Sequence, residues 1–322
     1  MKALVTGGLG FIGSTLAHRL VSDGYSVVLV DSLIPQYGGN LFNIKGLEDK
    51  VTVNISDMRD PYSIRCLLKG VDVVFNLAGQ TSHADSMTDP FTDLDINAKS
   101  QLSLLEAVRD VAPEVVVVFA STRQIYGRPH SLPVSESHPI RPVDVNGVNK
   151  VAGEQYHLLY HDVYGVRSVC LRLTNTYGPR MRIKDARQTF LGIWVNKLLS
   201  DEVIEVYGDG TQLRDFNYVD DVVDALIVAS RTESCYGKAL NLGGSEVISL
   251  SSLACLMCSL RSPNHGWHLV PFPVERKVID IGDYYSDYKL AQELLSWHPQ
   301  VSLSSGLERT LDYYEVNYAH YV

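Results

Sequence analysis

With 322 residues the chain is long enough for two domains, or for one large α/β domain carrying a lobe. Hydrophobic residues at 45% and charged residues at 20% exclude a disordered chain, and a net charge of -9 leaves no basic footprint for nucleic acid or an anionic membrane. No stretch reaches the roughly 20 apolar residues of a membrane span, and the N-terminal apolar run is broken by glycines, unlike a secretory leader, so a cytoplasmic protein is expected.

The first element is the apolar strand 2–6, which runs into Gly7-x-x-Gly10-x-x-Gly13 and a helical pattern ending near Asp23-Gly24. Backbone N–H groups at a glycine turn and at a helix N-terminus both attract a pyrophosphate, so this unit predicts a dinucleotide site. Gly7 permits the turn, Gly10 admits the phosphates and Gly13 lets helix and strand pack closely. A second strand, 26–30, leads to Asp31, at the distance where an acidic side chain meets the adenosine ribose hydroxyls. That carboxylate would repel a 2′-phosphate, which favours NAD over NADP.

Further strands are expected at 51–53, 72–76, 115–120 and 168–173, because these runs are short and β-branched in the manner of buried parallel strands. Residues 97–109 carry apolar side chains at helical spacing. The alternation implies an α/β fold, a Rossmann-type doubly wound parallel sheet over residues 1–175, rejoined by part of 215–245. After Gly178-Pro179 the elements shorten, so residues 176–322 are expected to form mainly a smaller C-terminal substrate-binding lobe, ending in a helix over 304–318. Cys255 and Cys258 have close spacing but no second pair. On an amphipathic helix they read as half-buried residues, and no metal site is expected.

Five segments now stand together: Thr6-Gly7-Gly8-Leu9-Gly10-Phe11-Ile12-Gly13; Asn76-Leu77-Ala78-Gly79-Gln80; Ala120-Ser121-Thr122 with Tyr126-Gly127; residues 172–180; and Gly208-Asp209-Gly210-x-Gln212-x-Arg214-Asp215-Phe216. Over nearly the whole chain they resemble the extended short-chain dehydrogenase/reductase family of nucleotide-sugar epimerases, dehydratases and decarboxylases. The resemblance implies NAD as cofactor and a nucleoside-diphosphate sugar as substrate. It places Phe11 and Ile12 beside the glycines, Asp57 on the adenine amine next to Met58, Leu77, Ala78, Gly79 and Gln80 along the phosphate and ribose path, and Asn97 on the same cofactor. Read from the residues alone, Asp57 is also suited to cap the helix that begins near Asp60-Pro61.

The family's chemistry uses Tyr-x-x-x-Lys, in which the Lys lowers the Tyr pKa and the phenolate takes a hydroxyl proton as hydride leaves for NAD. The matching segment is Asn146-Gly147-Val148-Asn149-Lys150, with Asn in the Tyr position. An amide offers no usable acid or base near neutral pH. Ser121, Thr122, Asn146 and Lys150 stand as the catalytic quartet, with Lys150 also reaching the nicotinamide ribose. Candidates for a replacement base are Asp144, Tyr126, His83, and Ser121 with Thr122. Asn146-Gly147 is equally a helix N-cap in a turn.

On the substrate side the resemblance puts Arg214 on the diphosphate and adds Tyr126, Asn175, Arg187 and Arg276. Residues 178–187 resemble UDP-glucuronate decarboxylases, whereas 77–80 and 86–90 resemble CDP-tyvelose or CDP-paratose 2-epimerases. The expected activity is an NAD-dependent epimerase or dehydratase acting by transient oxidation of a ring hydroxyl. A decarboxylase-like lyase and a non-catalytic NAD- and nucleotide-binding protein are the alternatives. Leu102, Leu104, Leu105 and Val108, with Leu158, Leu159 and Val163, put apolar residues on more than one helix face, and the family pairs these helices into a homodimer.

Overall fold

The computed structural model describes residues 1–37, 39–261 and 266–322. Its strands are β1 (Lys2–Thr6), β2 (Ser26–Asp31), β3 (Val51–Ile55), β4 (Val73–Asn76), β5 (Val116–Thr122) and β6 (Arg167–Leu173). After them come β7 (Asn175–Tyr177), β8 (Ile204–Tyr207), β9 (Leu213–Tyr218), β10 (Ala239–Leu242), β11 (Val247–Ser249) and β12 (Trp267–Val270). The first six and β10 form one parallel sheet in the order β10-β6-β5-β4-β1-β2-β3. All six sequence-expected strands are present; β10 supplies the edge that the sequence indicated only as a segment rejoining the sheet.

The helices are α1 (Phe11–Ser22), α2 (Pro61–Leu67), α3 (His83–Thr88), α4 (Pro90–Leu94), α5 (Ser100–Val111) and α6 (Val145–Tyr164). They continue as α7 (Phe190–Leu199), α8 (Val219–Arg231), α9 (Leu250–Arg261), α10 (Val274–Val278), α11 (Lys289–Leu295) and α12 (Leu303–Asn317). Asn97 does not open α5, as its sequence pattern suggests, but lies in a wider π-helical turn, Asp95–Lys99, just ahead of it.

Alternate residues of each strand point to opposite faces of a sheet. Ala3 and Val5 therefore pack with Leu16 and Leu20 of α1 and Val222 and Leu226 of α8. Leu4, Val74 and Val117 pack with Ile64 of α2 and Leu104, Leu105 and Val108 of α5. Both faces are covered, which is why the strands read as continuous apolar runs. Leu104, Leu105 and Val108 are thus spent in this core, whereas Leu159 and Val163 of α6 are 50% and 59% exposed. A second core, with Trp194, Ile204, Val206, Met257, Leu307 and Tyr314, unites α7, α9 and α12 with the pair β8–β12 and the triplet β11-β9-β7. On α9, Cys258 is buried and Cys255 exposed, so the pair is split between core and surface.

Helix α1 can sit on the sheet only because residue 13 has no side chain: a Cβ there would stand 2.2 Å from the Gly7 carbonyl oxygen and 3.0 Å from the Gly8 Cα. Gly13→Ala is accordingly expected to cost about 1–3 kcal/mol or more from overpacking against rigid backbone. Denaturant melts should show that loss together with reduced dinucleotide binding, and a variant as stable as the parent would contradict the packing.

Candidate active site

The strand order reverses between β1 and β4, and a narrow pocket opens beyond their carboxyl ends. Thr6 fixes the junction, its Oγ1 accepting the Leu77 and Ala78 N–H groups at 3.1 Å each and donating to Asn76 Oδ1. Gly7, Gly10, Phe11, Ile12, Gly13, Asp31, Asp57, Met58, Leu77, Ala78 and Gly79 line the pocket, as expected from the sequence, joined by Tyr37 and Ser56, which were not. Helices α2, α3, α4, α6 and α7 are capped by the side chains of Asp60, Ser82, Asp89, Asp144 and Thr189. At α1 the cap position is Gly10 and no side chain caps it, which leaves its first-turn amides open to an anion.

Asp31 accepts the Leu9 and Leu33 N–H groups at 3.1 and 2.9 Å, and each of its oxygens keeps a lone pair for a ribose hydroxyl. Burial raises its pKa, and the two amide bonds pull it partly back. Asp57 is gripped by the Arg59 guanidinium, with NH2 to Oδ2 at 2.6 Å, and hydrogen bonding from Arg59 holds its carboxyl below the usual range. The cap of α2 is Asp60, so Asp57 does not serve there. A Cβ on Gly79 would lie 3.0 Å from both Asn97 Oδ1 and Lys150 Nζ, and that Asn97 oxygen is buried without a partner. Open amides, a ribose-facing acid and an unpaired acceptor beside a lysine fit a bound NAD.

A much larger cleft of roughly 740 Å³ adjoins this pocket and shares Phe11, Ile12, Thr81 and Gln188 with it. Asn175, Arg187, Arg214 and Arg276 all line the cleft, as does Arg123. Arg214 donates to the carbonyl groups of Leu213 and Gly282 and faces Asp280 at 3.4 Å; burial, then the nearby Arg123 charge, lowers its pKa to about 10. Arg123 donates to Asn175 Oδ1 at 2.9 Å and lies over the Tyr284 ring, while its buried NH1 has no partner. Arg187 binds Asp85 and Asp185, and Arg276 lies over Tyr207.

Tyr126 is the clear correction on this side. It has no exposed surface and does not line the cleft; its hydroxyl bonds Asn241 and Arg172, and burial pushes its pKa up to about 12 despite the Arg172 charge. Ser121 is likewise committed, donating at 2.6 Å to Glu154, which forms a buried ion pair with Arg172 at 2.6 Å. Neither residue is placed to take a proton from substrate. Thr122 caps the short 3-10 turn Arg123–Tyr126 by accepting the Gln124 N–H.

Asn146 is the second residue of α6 and not its cap, a role that falls to Asp144. Its Nδ2 lies 2.8 Å from the Gln80 carbonyl, 3.2 Å from Gln80 Oε1 and 3.0 Å from Asp93 Oδ2. Asp93, fully buried, also accepts from Asn149 at 2.8 Å. Gln80 is therefore a structural acceptor for Asn146 and Asn97 and lines neither cavity, which corrects its expected place on the cofactor. Lys150, one turn on, donates to the Ala120 carbonyl at 3.3 Å; burial lowers its pKa to about 8, with Asp93 opposing.

Asp93 and Arg123 are the residues that sequence reasoning missed. Asp93 stands in an acid-rich run with Asp89 and Asp95, where nothing marks the one carboxylate that turns inward. Arg123 had a signal: a cation directly after the Ser121-Thr122 pair, where the strand ends at the cleft.

The profile of the NAD dependent epimerase/dehydratase family matches residues 3–243. The chain is 33% identical to the putative UDP-glucose 4-epimerase of Methanocaldococcus jannaschii over 98% of each chain. It superposes on the UDP-glucose 4-epimerase of Thermotoga maritima, solved with UDP-glucose, with a TM-score of 0.91 at 29% identity, covering 99% of this chain and 100% of that one. The UDP-glucuronic acid 4-epimerase of Bacillus cereus, in complex with UDP-glucuronic acid and NAD, gives 0.88 at 30% identity over 99% and 100%.

The Lys150 ammonium is disfavoured in the fold, since burial holds its pKa at about 8, below the roughly 10.4 of a free lysine side chain. Between those values the unfolded chain binds more protons, so stability rises with pH through that window and the full penalty applies below it. Lys150→Met should therefore raise the melting temperature at pH 7, by a few degrees for about 1–3 kcal/mol, an advantage that disappears in strong alkali. The same variant should bind NAD more weakly by calorimetry. A lower melting temperature with unchanged NAD affinity would refute both roles.

Proposed function

The chain belongs to the NAD dependent epimerase/dehydratase family, and from that membership we propose that it interconverts epimers of a nucleoside-diphosphate sugar. It is an enzyme, and NAD is its cofactor. The observation that carries the proposal is the common wall of Phe11, Ile12, Thr81 and Gln188, which sets a dinucleotide pocket against a cleft rich in guanidinium groups. An acidic protein with a charge of -9 gathers Arg123, Lys184, Arg187, Arg214 and Arg276 there, which suits a diphosphate.

NAD, when bound, supplies the reversible acceptor for a sugar C–H hydrogen and its electron pair. The protein contributes position. Asn97 and Lys150 flank Gly79 for the cofactor, Arg214 and Arg276 hold the diphosphate, and Asn175 with Arg123 meets the sugar end.

Epimerisation is favoured over elimination because, among the described residues, each carboxylate lining the cleft is held in an ion pair. Water loss needs an acid and a base at the sugar. The turn after β5 offers Arg123 and Gln124, while Asp185, Glu205 and Asp280 are each ion-paired, with Arg182 and Arg187, Lys197, and Arg214. A wall of this kind supports oxidation and return on the other face. The decarboxylase-like alternative has support of its own in the UDP-glucuronic acid decarboxylase 1 of Danio rerio, 30% identical over 99% of this chain and 74% of that one, and product mass separates it from an epimerase; the non-catalytic alternative leaves the joined cavities unexplained. The five unpaired cysteines fit a reducing, cytoplasmic setting, and among the described residues no helix is long and apolar enough to cross a membrane.

The deciding experiment incubates the NAD-loaded protein with UDP-glucose, UDP-glucuronic acid, dTDP-glucose and CDP-linked hexoses and separates the products by chromatography and mass. An isomer of unchanged mass is expected. Loss of water or carbon dioxide would replace this reading with a lyase, and absence of both turnover and calorimetric binding would overturn it.

A homodimer is part of the proposal, carried by the exposed Val148, Leu159, Val163 and Tyr164 of α6. Sedimentation is expected to show a species of twice 35.7 kDa. The double substitution Leu159→Glu and Val163→Glu should shift it to the single chain, and a parent that sediments as one chain removes the dimer.

A further inference from the structure

The reaction proposed above needs a group that takes a hydroxyl proton, and the residue at the family's tyrosine position is an amide whose NH2 already faces three acceptors. The geometry points to His83, held by Asp144, as the proton acceptor and donor of this active site. The inference rests on the epimerase reading and concerns which side chain performs its proton transfer.

Asp144 caps α6 from two residues before Asn146, and its side chain has no exposed surface. Its Oδ1 accepts the Gly147 N–H at 2.7 Å, and its Oδ2 accepts Gln124 Nε2 at 2.8 Å and lies 3.0 Å from His83 Nδ1. His83 Nδ1 is buried and makes no other polar contact, so the Asp144 carboxylate at 3.0 Å is the group it faces. A carboxylate on Nδ1 selects the tautomer with the proton there and leaves the Nε2 lone pair free. That is the arrangement of a base with its orienting group.

Placement is equally specific. His83 is the first residue of α3, and Ser86 one turn later donates to the His83 carbonyl while accepting the Asn146 N–H. The imidazole is thereby stapled beside the turn that carries residue 146. Its side chain is 40% exposed and lines the cleft together with Thr81, Arg123 and Gln124.

Competing groups are otherwise engaged. The carboxylates lining the cleft are ion-paired, Ser121 and Tyr126 are sealed into the Arg172 network, and Lys150 lies on the cofactor side beside Gly79 and outside the cleft lining.

In the forward step the sugar O–H proton would move to His83 Nε2 as the C=O bond forms, and NAD, when bound, would accept the hydrogen and electron pair of the adjoining C–H bond. The imidazolium is stabilised by Asp144. On return the carbon regains hydrogen and electron pair on the opposite face, and Nε2 gives the proton back to the oxygen. Atoms and electrons balance with no outside oxidant.

The test uses NAD-loaded protein and UDP-glucose, with binding followed by calorimetry and folding by thermal melts. His83→Ala is expected to lower kcat by about 10²-fold or more while UDP-glucose affinity and melting temperature hold, and added imidazole should restore turnover. Asp144→Asn, which keeps a capping side chain, should lower kcat by about tenfold or more without rescue. A kcat in His83→Ala equal to the parent's overturns the inference and leaves the epimerase reading standing. A loss that imidazole does not restore also overturns it, by making His83 structural. A parent that turns over none of the nucleotide sugars overturns the underlying reading as well.

Discussion

Asp93 is the charge around which the active site is organised. With no exposed surface it accepts from Asn146 and Asn149 and faces Lys150, so a single carboxylate on α4 holds three positions in the first two turns of α6. A buried carboxylate is tolerated only when such donors satisfy it, and each charge-assisted bond contributes about 1.5–3 kcal/mol. The amide at position 146 is then explained structurally. It ties Gln80, beyond β4, and Asp93, on α4, to the start of α6, and an amide can meet both acceptors at once where a phenol has one proton to give.

The cleft shows the opposite electrostatic design. Burial lowers the pKa of both Arg123 and Arg214, and the Arg123 charge lowers that of Arg214 further. The Arg123 NH1 lacks a partner altogether. Groups left this way carry a free-energy cost that an anionic or oxygen-rich ligand would offset, so the cleft suits a ligand of that chemistry. Elsewhere the protein neutralises its internal charges, as in the Glu154–Arg172 pair with Ser121 and Tyr126 around it.

Much of this was legible in the sequence. Glycine spacing, a strand-ending acid and β-branched runs are local signals, and Gly7, Gly10, Gly13, Asp31 and the six early strands lie where those signals put them. What stayed hidden depends on contacts across distance. Ser121 and Tyr126 sit in motif segments yet bond Glu154, Arg172 and Asn241, residues 33, 46 and 115 positions away. Asp93 and Asp95 look alike in the chain, and only the packing of α4 on α6 turns one of them inward. His83 and Asp144 each stood among the candidates for the base; their pairing depends on α3 docking against α6.

The late return of β10 to the sheet has a consequence for any attempt to dissect the molecule. Ala239–Leu242 pairs with Cys170–Leu173, and Asn241 also supplies the acceptor for the Tyr126 hydroxyl and a donor to the Val134 carbonyl. A fragment ending after β6 would bare a flat, apolar strand edge prone to self-association and strand a buried phenol without its acceptor. The seven-stranded sheet is therefore completed by chain synthesised after β7, β8 and β9, and a cut between β6 and β10 separates paired strands.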